Sequence, residues 1–191
     1  MRHNRAAHGK HSGRRIIQLF SKKSSETEIR AGLPAIFPRL WRYALVLTAN
    51  RDAANDLAQA TCLRALQKAD SYQTGTLLDR WLFRMAHRIW LNELRSAAVR
   101  RGGGLQAVED VEIPDTRPDA ETNFFVREVL HSVYALPEAQ RAAVILVYVE
   151  GFSYAEAAEI MDVPVGTVMS RLAAARKVVT ARMGEKGKKL G

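Results

Sequence analysis

The sequence contains a single cysteine, Cys62, in 191 residues. One thiol allows neither an internal disulfide framework nor a cysteine-based metal site. No apolar run approaches the roughly 18 to 20 residues that a membrane-spanning helix needs. Arg14, Arg15 and Gln18 interrupt the N-terminal segment, which therefore lacks the apolar core of a secretory signal. We expect a protein of the reducing cytoplasm with no membrane insertion, although this basic, acid-poor start is also compatible with a mitochondrial-type presequence.

Acidic residues are fewer than basic residues, and the formal net charge is +9. Residues 1–30 contain eight basic against two acidic side chains, and residues 31–101 contain eleven against five. Residues 102–121 reverse the balance, with one basic against six acidic side chains. A basic excess indicates a polyanionic partner, because cations that neutralise phosphates release counterions. Membrane surfaces attract the same charge, so charge alone does not identify the partner.

Strand-length alternating segments and internal repeats are also missing. The Gly102–Gly104 run is followed by an acidic segment, Glu109–Asp119, that contains two prolines and has the composition of a linker. We therefore predict an all-α protein of two small helical domains joined by a flexible acidic linker, the second domain with a helix-turn-helix. The predicted divisions are a basic, disordered extension (1–30), a first domain (31–101), the linker (102–121), a second domain (122–182) and a basic tail (183–191).

Three helices are predicted in the first domain: Leu33–Ala49, Ala53–Ala69 and about Leu77–Val99. Their apolar residues recur at helical spacing, which predicts a bundle around a shared centre. Asp52 is the expected cap of the second helix.

In the second domain the pattern predicts helices over Thr122–Ala135 and Pro137–Glu150. The apolar run Ala142–Val149 is also compatible with a buried strand, but the flanking periodicity favours a helix buried nearly all round. Gly151 is expected to end it.

Ser153 and Glu156 have the spacing of a capping box, which predicts a short helix starting there. A turn at Asp162–Pro164 leads to a last helix of about Val165–Thr180, whose predicted buried face starts at Val165. A short helix, a tight turn and a second helix with a small, polar and basic outer face are typical of a helix-turn-helix that binds the DNA major groove. A plain helical hairpin with a solvated charged face is the alternative.

These segments resemble the extracytoplasmic-function sigma factors of the sigma-70 family, over about residues 33–180. The matching motifs, first for region 2 and then for region 4, are Asp52–Gln59, Trp81–Arg88, Glu93–Arg95, Leu136–Glu138, Gly151–Met161 and Val163–Leu172. The resemblance implies a factor that binds core RNA polymerase and directs it to promoters, with no cofactor and no catalysis of its own.

The resemblance implies three sets of contact residues. On the first domain, Asp56 and Gln59 would meet the clamp helices of the polymerase β′ subunit, and the β subunit of core polymerase is a further expected partner. The melted minus-10 strand would contact Tyr72, Arg80, Arg84, His87, Arg88 and Arg95. The duplex minus-35 element would contact the last helix through Thr167, Ser170, Arg171, Arg176 and Lys177.

Ala60, Arg88, Met169, Ala173 and Ala174 depart from the residues that the family usually has at these positions. The departures at Arg88, Met169, Ala173 and Ala174 imply a promoter sequence that differs from the family's usual one, and Ala60 implies a weaker or displaced polymerase contact. The resemblance also implies an anti-sigma partner, and the spacing of the motifs is similar to the branch that serves general stress responses.

Two other functions remain open at this point. A free-standing helix-turn-helix regulator would bind duplex promoter DNA alone, usually as a dimer. An enzyme acting on nucleic acid would need clustered carboxylates, histidines or a nucleophile with its base. The histidines are scattered along the chain, so no catalytic or metal site is predicted.

Overall fold

A computed structural model of the chain describes the backbone of residues 10–100 and 129–187 and the side chains of residues 24–99 and 129–182. Every regular element within these residues is helical, as the sequence predicts. The predicted linker lies outside the described residues, as do residues 1–9 of the extension and the first part of the helix predicted from Thr122.

The first helix, α1, spans Lys10–Thr48 and begins far earlier than the predicted Leu33. The early turns pack against the bundle: Ile29 is fully buried and Ser25 is 1% exposed. A Cβ atom on Gly32 would lie 2.5 Å from Cδ2 of Leu78, so α1 approaches the next helices closely there. This packing offsets the backbone hydrogen bonds lost at Pro34 and Pro38, which both lie inside α1.

Two further helices complete the first half. Helix α2 spans Arg51–Gln67 and is followed by a short 3-10 turn at Ala69–Ser71, and α3 spans Leu78–Arg100. The cap of α2 is Asn50, not the predicted Asp52: the Asn50 Oδ1 atom accepts a hydrogen bond from the Ala53 amide at 2.9 Å. Asp52 lies in the first turn, where a carboxylate still interacts favourably with the helix dipole.

Within residues 129–187 the second half contains four helices, of which the first is described over residues 129–134 and is called α4. Helix α5 spans Glu138–Val144 and continues as a π turn at Ile145–Val149. The strand alternative for this run is therefore excluded. The run is also less buried than predicted, because Tyr148 and Val149 are 52% and 53% exposed.

The last two helices form the predicted helix-turn-helix: α6 spans Tyr154–Met161 and α7 spans Val165–Gly187. The capping box at Ser153 is present in full. One residue of the predicted buried face of α7 was wrong, since Val165 is 42% exposed. Val165 is the first residue of the helix and lies beyond the apolar contact with α6.

The two halves pack directly on each other, an arrangement we call the closed arrangement. One apolar cluster joins Leu40, Leu47 and Phe83 of the first half to Leu146 and Ile160 of the second. The sequence patterns predict an apolar centre for each half but contain no signal that the two centres adjoin. The closed arrangement is therefore a finding of the structure.

The buried carboxylate of Glu150 connects the halves electrostatically. Its side chain has no solvent exposure, and it accepts hydrogen bonds from Arg39 at 2.9 Å and Arg42 at 3.0 Å. The Arg39 guanidinium also lies 5.5 Å from the ring centre of Phe83 and 5.6 Å from that of Phe152. A desolvated carboxylate is stable here because two arginine cations bind it, and the two aromatic faces in turn stabilise the Arg39 cation.

A buried arginine provides a second connection. Arg141 on α5 is 4% exposed and donates to the backbone carbonyls of Tyr134 at 2.8 Å and Leu47 at 3.2 Å. Burial lowers the pKa of the Arg141 guanidinium, although Glu138 opposes that change. The Leu47 carbonyl belongs to the last turn of α1, where orphan carbonyls need a donor.

We expect Glu150→Gln to destabilise the protein by about 2 to 3 kcal/mol, because charge-assisted hydrogen bonds are lost while their arginine partners remain. Urea unfolding followed by circular dichroism measures this change. The matched control is Glu26→Gln, which breaks only an exposed pair with Arg30 and is expected to change stability by less than about 0.5 kcal/mol. Equal effects of the two substitutions would contradict the role given to Glu150.

Candidate nucleic-acid and polymerase interfaces

One face of α3 carries a row of arginines, Arg80, Arg84 and Arg88, spaced one helical turn apart. Their side chains are 28%, 43% and 55% exposed. Arg95 lies two turns further on, is exposed, and donates to Asn92 at 3.1 Å. The structure thus places all four predicted minus-10 arginines on one helix, as their spacing predicts.

Carboxylates of the helix-turn-helix contact three of these arginines. Arg80 lies 2.6 Å from Glu156 and 3.0 Å from Glu159. Asp162, at the end of α6, lies 3.8 Å from Arg84 and 3.3 Å from Arg88. The arginines that are candidates for phosphate binding are therefore paired with carboxylates of the same chain.

The Arg80 pairs shift the acidity of both partners. Burial by itself lowers the pKa of the Arg80 guanidinium, but the bonds to Glu159 and Glu156 outweigh it and raise that pKa. The pKa of the Glu156 carboxyl is lowered, first by the amide and hydroxyl of Ser153 and then by Arg80. Both groups are therefore ionised at neutral pH. Glu156 closes the capping box and binds Arg80 at the same time.

His87 is inaccessible in the closed arrangement, where it is 3% exposed. Its Nδ1 atom lies 2.9 Å from the hydroxyl of Tyr43. Burial, with a further contribution from Arg171, lowers the pKa of His87 to about 4, although Asp162 opposes the shift. The imidazole is therefore neutral at pH 7, and it shares a hydrogen bond with the Tyr43 hydroxyl. A contact between His87 and DNA requires α6 to move away.

Tyr72, the other predicted minus-10 contact outside the arginine row, is also buried, with 4% exposure. Its ring packs against Trp81 with the ring centres 5.2 Å apart. Its hydroxyl donates to Glu28 at 2.6 Å. Burial and the Glu28 carboxylate raise the pKa of Tyr72 to about 12. In this arrangement Tyr72 supports its loop from within and offers no surface to a base.

The turn between α6 and α7 is built by local hydrogen bonds. Asp162 adopts the left-handed conformation with φ of 56°, and the Val163 amide donates to the Ala158 carbonyl at 3.1 Å. The Thr167 amide then donates to the Pro164 carbonyl at 2.9 Å and starts α7. Val168 and Leu172, both fully buried, hold α7 against the rest of the second half.

The predicted minus-35 residues on α7 do not all face solvent equally. Ser170, Arg176 and Lys177 are exposed, whereas Thr167 and Arg171 are partly buried. The Ser170 hydroxyl donates to the Thr167 carbonyl at 3.0 Å. Met169, a departure from the family pattern, is 52% exposed beside them.

Arg171 points toward the first half of the chain. It lines a cleft of about 480 Å³ together with Arg88, Arg95 and His87 of α3, and with Glu138 and Asp162. This volume suits a small molecule but is far too small for duplex DNA. Residues predicted for the minus-10 strand and for the minus-35 duplex thus face the same cleft, so they cannot bind both in the closed arrangement.

The predicted polymerase contacts lie on the opposite side of α2 from its buried residues. Asp56 and Gln59 are exposed, while Leu57 and Ala58 have no exposure. Leu63, one turn after Gln59, is 59% exposed and borders a shallow groove between α2 and α3. Leu63 was not predicted from the sequence as an exposed apolar residue. Its position outside the apolar stripe that faces the bundle could have indicated this exposure.

The described part of the chain carries neither a metal site nor a membrane-spanning helix. No group of three or more histidine, cysteine, aspartate or glutamate side chains there is arranged to hold a metal ion. None of the helices described is both long and apolar enough to span a membrane.

Two family models match the chain. The model described as Sigma-70 region 2 matches residues 35–100, and that described as Sigma-70, region 4 matches residues 127–179. Together they cover more than half of the sequence.

Relatives with established names match over most of their length. The chain is 35% identical over 158 residues to the ECF RNA polymerase sigma factor EcfG of Rhodopseudomonas palustris, covering 80% of this chain and 83% of that protein. It is 32% identical over 146 residues to the ECF RNA polymerase sigma factor SigM of Mycobacterium tuberculosis, covering 76% and 72%.

Solved structures agree. The sigma factor RpoE of Bartonella quintana, in complex with the anti-sigma factor NepR, superposes with a TM-score of 0.68 at 27% identity, covering 82% of this chain and 97% of RpoE. CnrH, in complex with the cytosolic domain of CnrY, shares the fold with a TM-score of 0.60 at 18% identity, covering 90% and 97%. The chain therefore belongs to the extracytoplasmic-function sigma factors of the sigma-70 family.

Proposed function

We propose that this sigma factor reads promoters with two surfaces that become available when the closed arrangement opens. The arginine face of α3 binds the melted minus-10 strand, and α7 reads the minus-35 duplex. Asp56 and Gln59 on α2 bind the β′ clamp helices of core polymerase, and the second half lies near the β subunit. The observation that carries this proposal is the pairing of three α3 arginines with carboxylates, because a surface that binds carboxylates in a row also binds phosphates in a row.

The proposed division of labour rests on the chemistry of each surface. An unpaired strand needs cations for its phosphates and apolar or aromatic surface for its bases, and α3 offers arginines beside partly buried tryptophans. Duplex DNA needs a helix whose exposed side chains reach the major groove, and α7 has Ser170 exposed next to Thr167 and Arg171. Arg176 and Lys177, further along α7, suit phosphates.

We further propose that the protein acts in the cytoplasm, catalyses no reaction of its own and is held inactive by an anti-sigma protein. The relative RpoE binds NepR in its solved complex, and RpoE is similar to this chain over nearly its whole length. A role in a stress response follows from the resemblance of the motif spacing to that branch of the family.

Run-off transcription with core polymerase tests the function itself. With fragments of genomic DNA as templates, we expect initiation at discrete sites that share sequence elements near minus 10 and minus 35. Mapping the RNA 5′ ends identifies these elements. If no initiation above core polymerase alone occurs and the protein also fails to bind core, the free-standing regulator becomes the better explanation.

A substitution in α7 separates the two surfaces. Arg171→Ala is expected to lower minus-35-dependent initiation about tenfold while association with core polymerase stays unchanged, because an arginine that contacts a guanine edge supplies about 1 to 3 kcal/mol of discrimination. Lys177→Ala should instead weaken all promoters alike and reduce the salt dependence, as expected for a phosphate contact.

Arg30→Ala, which removes an exposed cation of α1 far from α7, is the charge-matched control for both α7 variants. Loss of core binding by Arg171→Ala would mean that this side chain has been assigned to the wrong surface.

The carboxylates that cover α3 provide a further prediction. Glu159→Gln combined with Asp162→Asn should increase affinity for a labelled random-sequence single strand about fivefold, since three pairs of at most about 1 kcal/mol each, one to Glu159 and two to Asp162, no longer compete with phosphate. Asparagine tolerates the left-handed backbone of position 162. Fluorescence anisotropy measures the affinity.

The control for this pair is Glu26→Gln combined with Asp52→Asn, which changes the net charge equally but removes no partner of the α3 arginines. An equal gain in the control would attribute the effect to net charge and not to uncovering of α3.

A further inference from the structure

The loop Tyr72–Leu77 leads into α3 and is fastened on its inner side. The Tyr72 ring lies against Trp81 of α3, and the Tyr72 carbonyl accepts a hydrogen bond from the Ser25 hydroxyl at 3.1 Å. The Tyr72 hydroxyl donates to Glu28 and also lies 2.9 Å from the Thr76 carbonyl. The first residue of the loop is thereby fixed to α1, to α3 and to the loop's own far end.

Glu28 holds the tip of the same loop. Its two carboxylate oxygens lie 3.3 Å and 3.2 Å from the Gly75 amide, which donates to them. Gly75 has φ of 77°, a conformation that side chains other than glycine rarely adopt. One carboxylate on α1 thus binds both the start and the tip of a loop 47 residues away in sequence.

The outer side of this loop has the chemistry that an unstacked base requires. Residues 73–76 are exposed and offer the Gln73 amide and two threonine hydroxyls, of which that of Thr76 also donates to the Gln73 carbonyl at 2.7 Å, and Leu77 is 56% exposed. Arg80, the first residue of the arginine row, follows within one turn. Polar groups that read a base edge, an apolar side chain that covers its face and a cation for its phosphate therefore adjoin one another.

We infer that Glu28 is a positioning residue for the minus-10 contact: it sets the conformation of the loop 73–77, and through it the base that the protein prefers at that place. This inference rests on the proposed function of the α3 face. Glu28 and Ser25 precede residues 35–100, the segment that matches region 2, so the family match assigns no role to them. The geometry assigns one, because α1 extends through residues 25–28 and continues the bundle.

The test measures base preference and not only activity. Core polymerase with each full-length variant transcribes a template library in which the minus-10 element found by start-site mapping is randomised, and the transcripts are sequenced. Glu28→Ala is expected to lower the preference for the best base at one or two minus-10 positions by about threefold to tenfold, since the loop loses both anchors. Preference at the minus-35 element and association with core polymerase should not change.

Two further variants make the readout specific. Tyr72→Phe removes the hydroxyl that binds Glu28 and the Thr76 carbonyl and should shift preference at the same positions, and the double variant should shift it by less than the sum of the two single effects. Glu26→Ala is the matched control, because Glu26 lies on the same helix and, among the side chains that the structure describes, pairs with Arg30. It should leave the preference of the unaltered protein intact.

If Glu28→Ala shows the same base-preference profile as the unaltered protein, the inference is overturned and Glu28 is a structural residue. This holds whether or not the overall rate of transcription falls. If Glu28→Ala does not fold, Tyr72→Phe decides in its place: an unchanged profile overturns the inference, and a shifted one supports it. Failure of the unaltered protein to initiate at any minus-10 element is a different result and overturns the proposed function instead.

Discussion

Glu150 places a carboxylate with no solvent exposure against Arg39 and Arg42 of α1, and the closed arrangement depends on this contact. A buried charge is tolerated only with partners, so separating the two halves costs more than the apolar contacts alone would suggest. The π turn at Ile145–Val149 immediately precedes Glu150, and its wider radius places Glu150 and Phe152 on the side of α1. The aromatic pair of Phe152 and Phe83, with ring centres 5.1 Å apart, excludes water beside it.

The ion pairs of Asp162 with α3 are weaker than the Glu150 contact. Asp162 is 65% exposed, and its pairs with Arg84 and Arg88 reach 3.8 Å and 3.3 Å, lengths at which solvent-screened attraction contributes about 0 to 1 kcal/mol. Phosphates of a nucleic acid can replace such partners easily. The free energy of opening therefore resides mainly in the Glu150 contact and the shared apolar cluster, and the covering carboxylates mainly decide which anion occupies α3 once the halves separate.

Local patterns allowed much of this structure to be predicted from the sequence. Residues within one or two turns of each other determine the capping box at Ser153, the boundaries of α3 and the arginine row. The spacing of residues in the sequence is therefore sufficient to predict these features. The start of α1 was missed because prolines at 34 and 38 look like helix boundaries, whereas tertiary packing of Ile29 overrides them. The carboxylates that bind Arg80 and Arg88 lie more than 70 residues away, and no periodicity relates such positions. Tyr72 and His87 were predicted as contacts from residue type and neighbourhood, but burial depends on which helices cover them.

Arg95 and Arg171 line the same cleft, although one is assigned to the melted strand and the other to the duplex. A single separation of the halves thus exposes both surfaces together, and neither is fully available without it. The apparent affinity of the free chain for either promoter element is then reduced by the fraction of molecules that are open. In the proposed function core polymerase contacts the Asp56 face, which is exposed in the closed arrangement, so polymerase can bind before opening and supply the free energy for it. On that proposal the packing of the two halves links promoter reading to polymerase binding and keeps the free chain from occupying promoters alone.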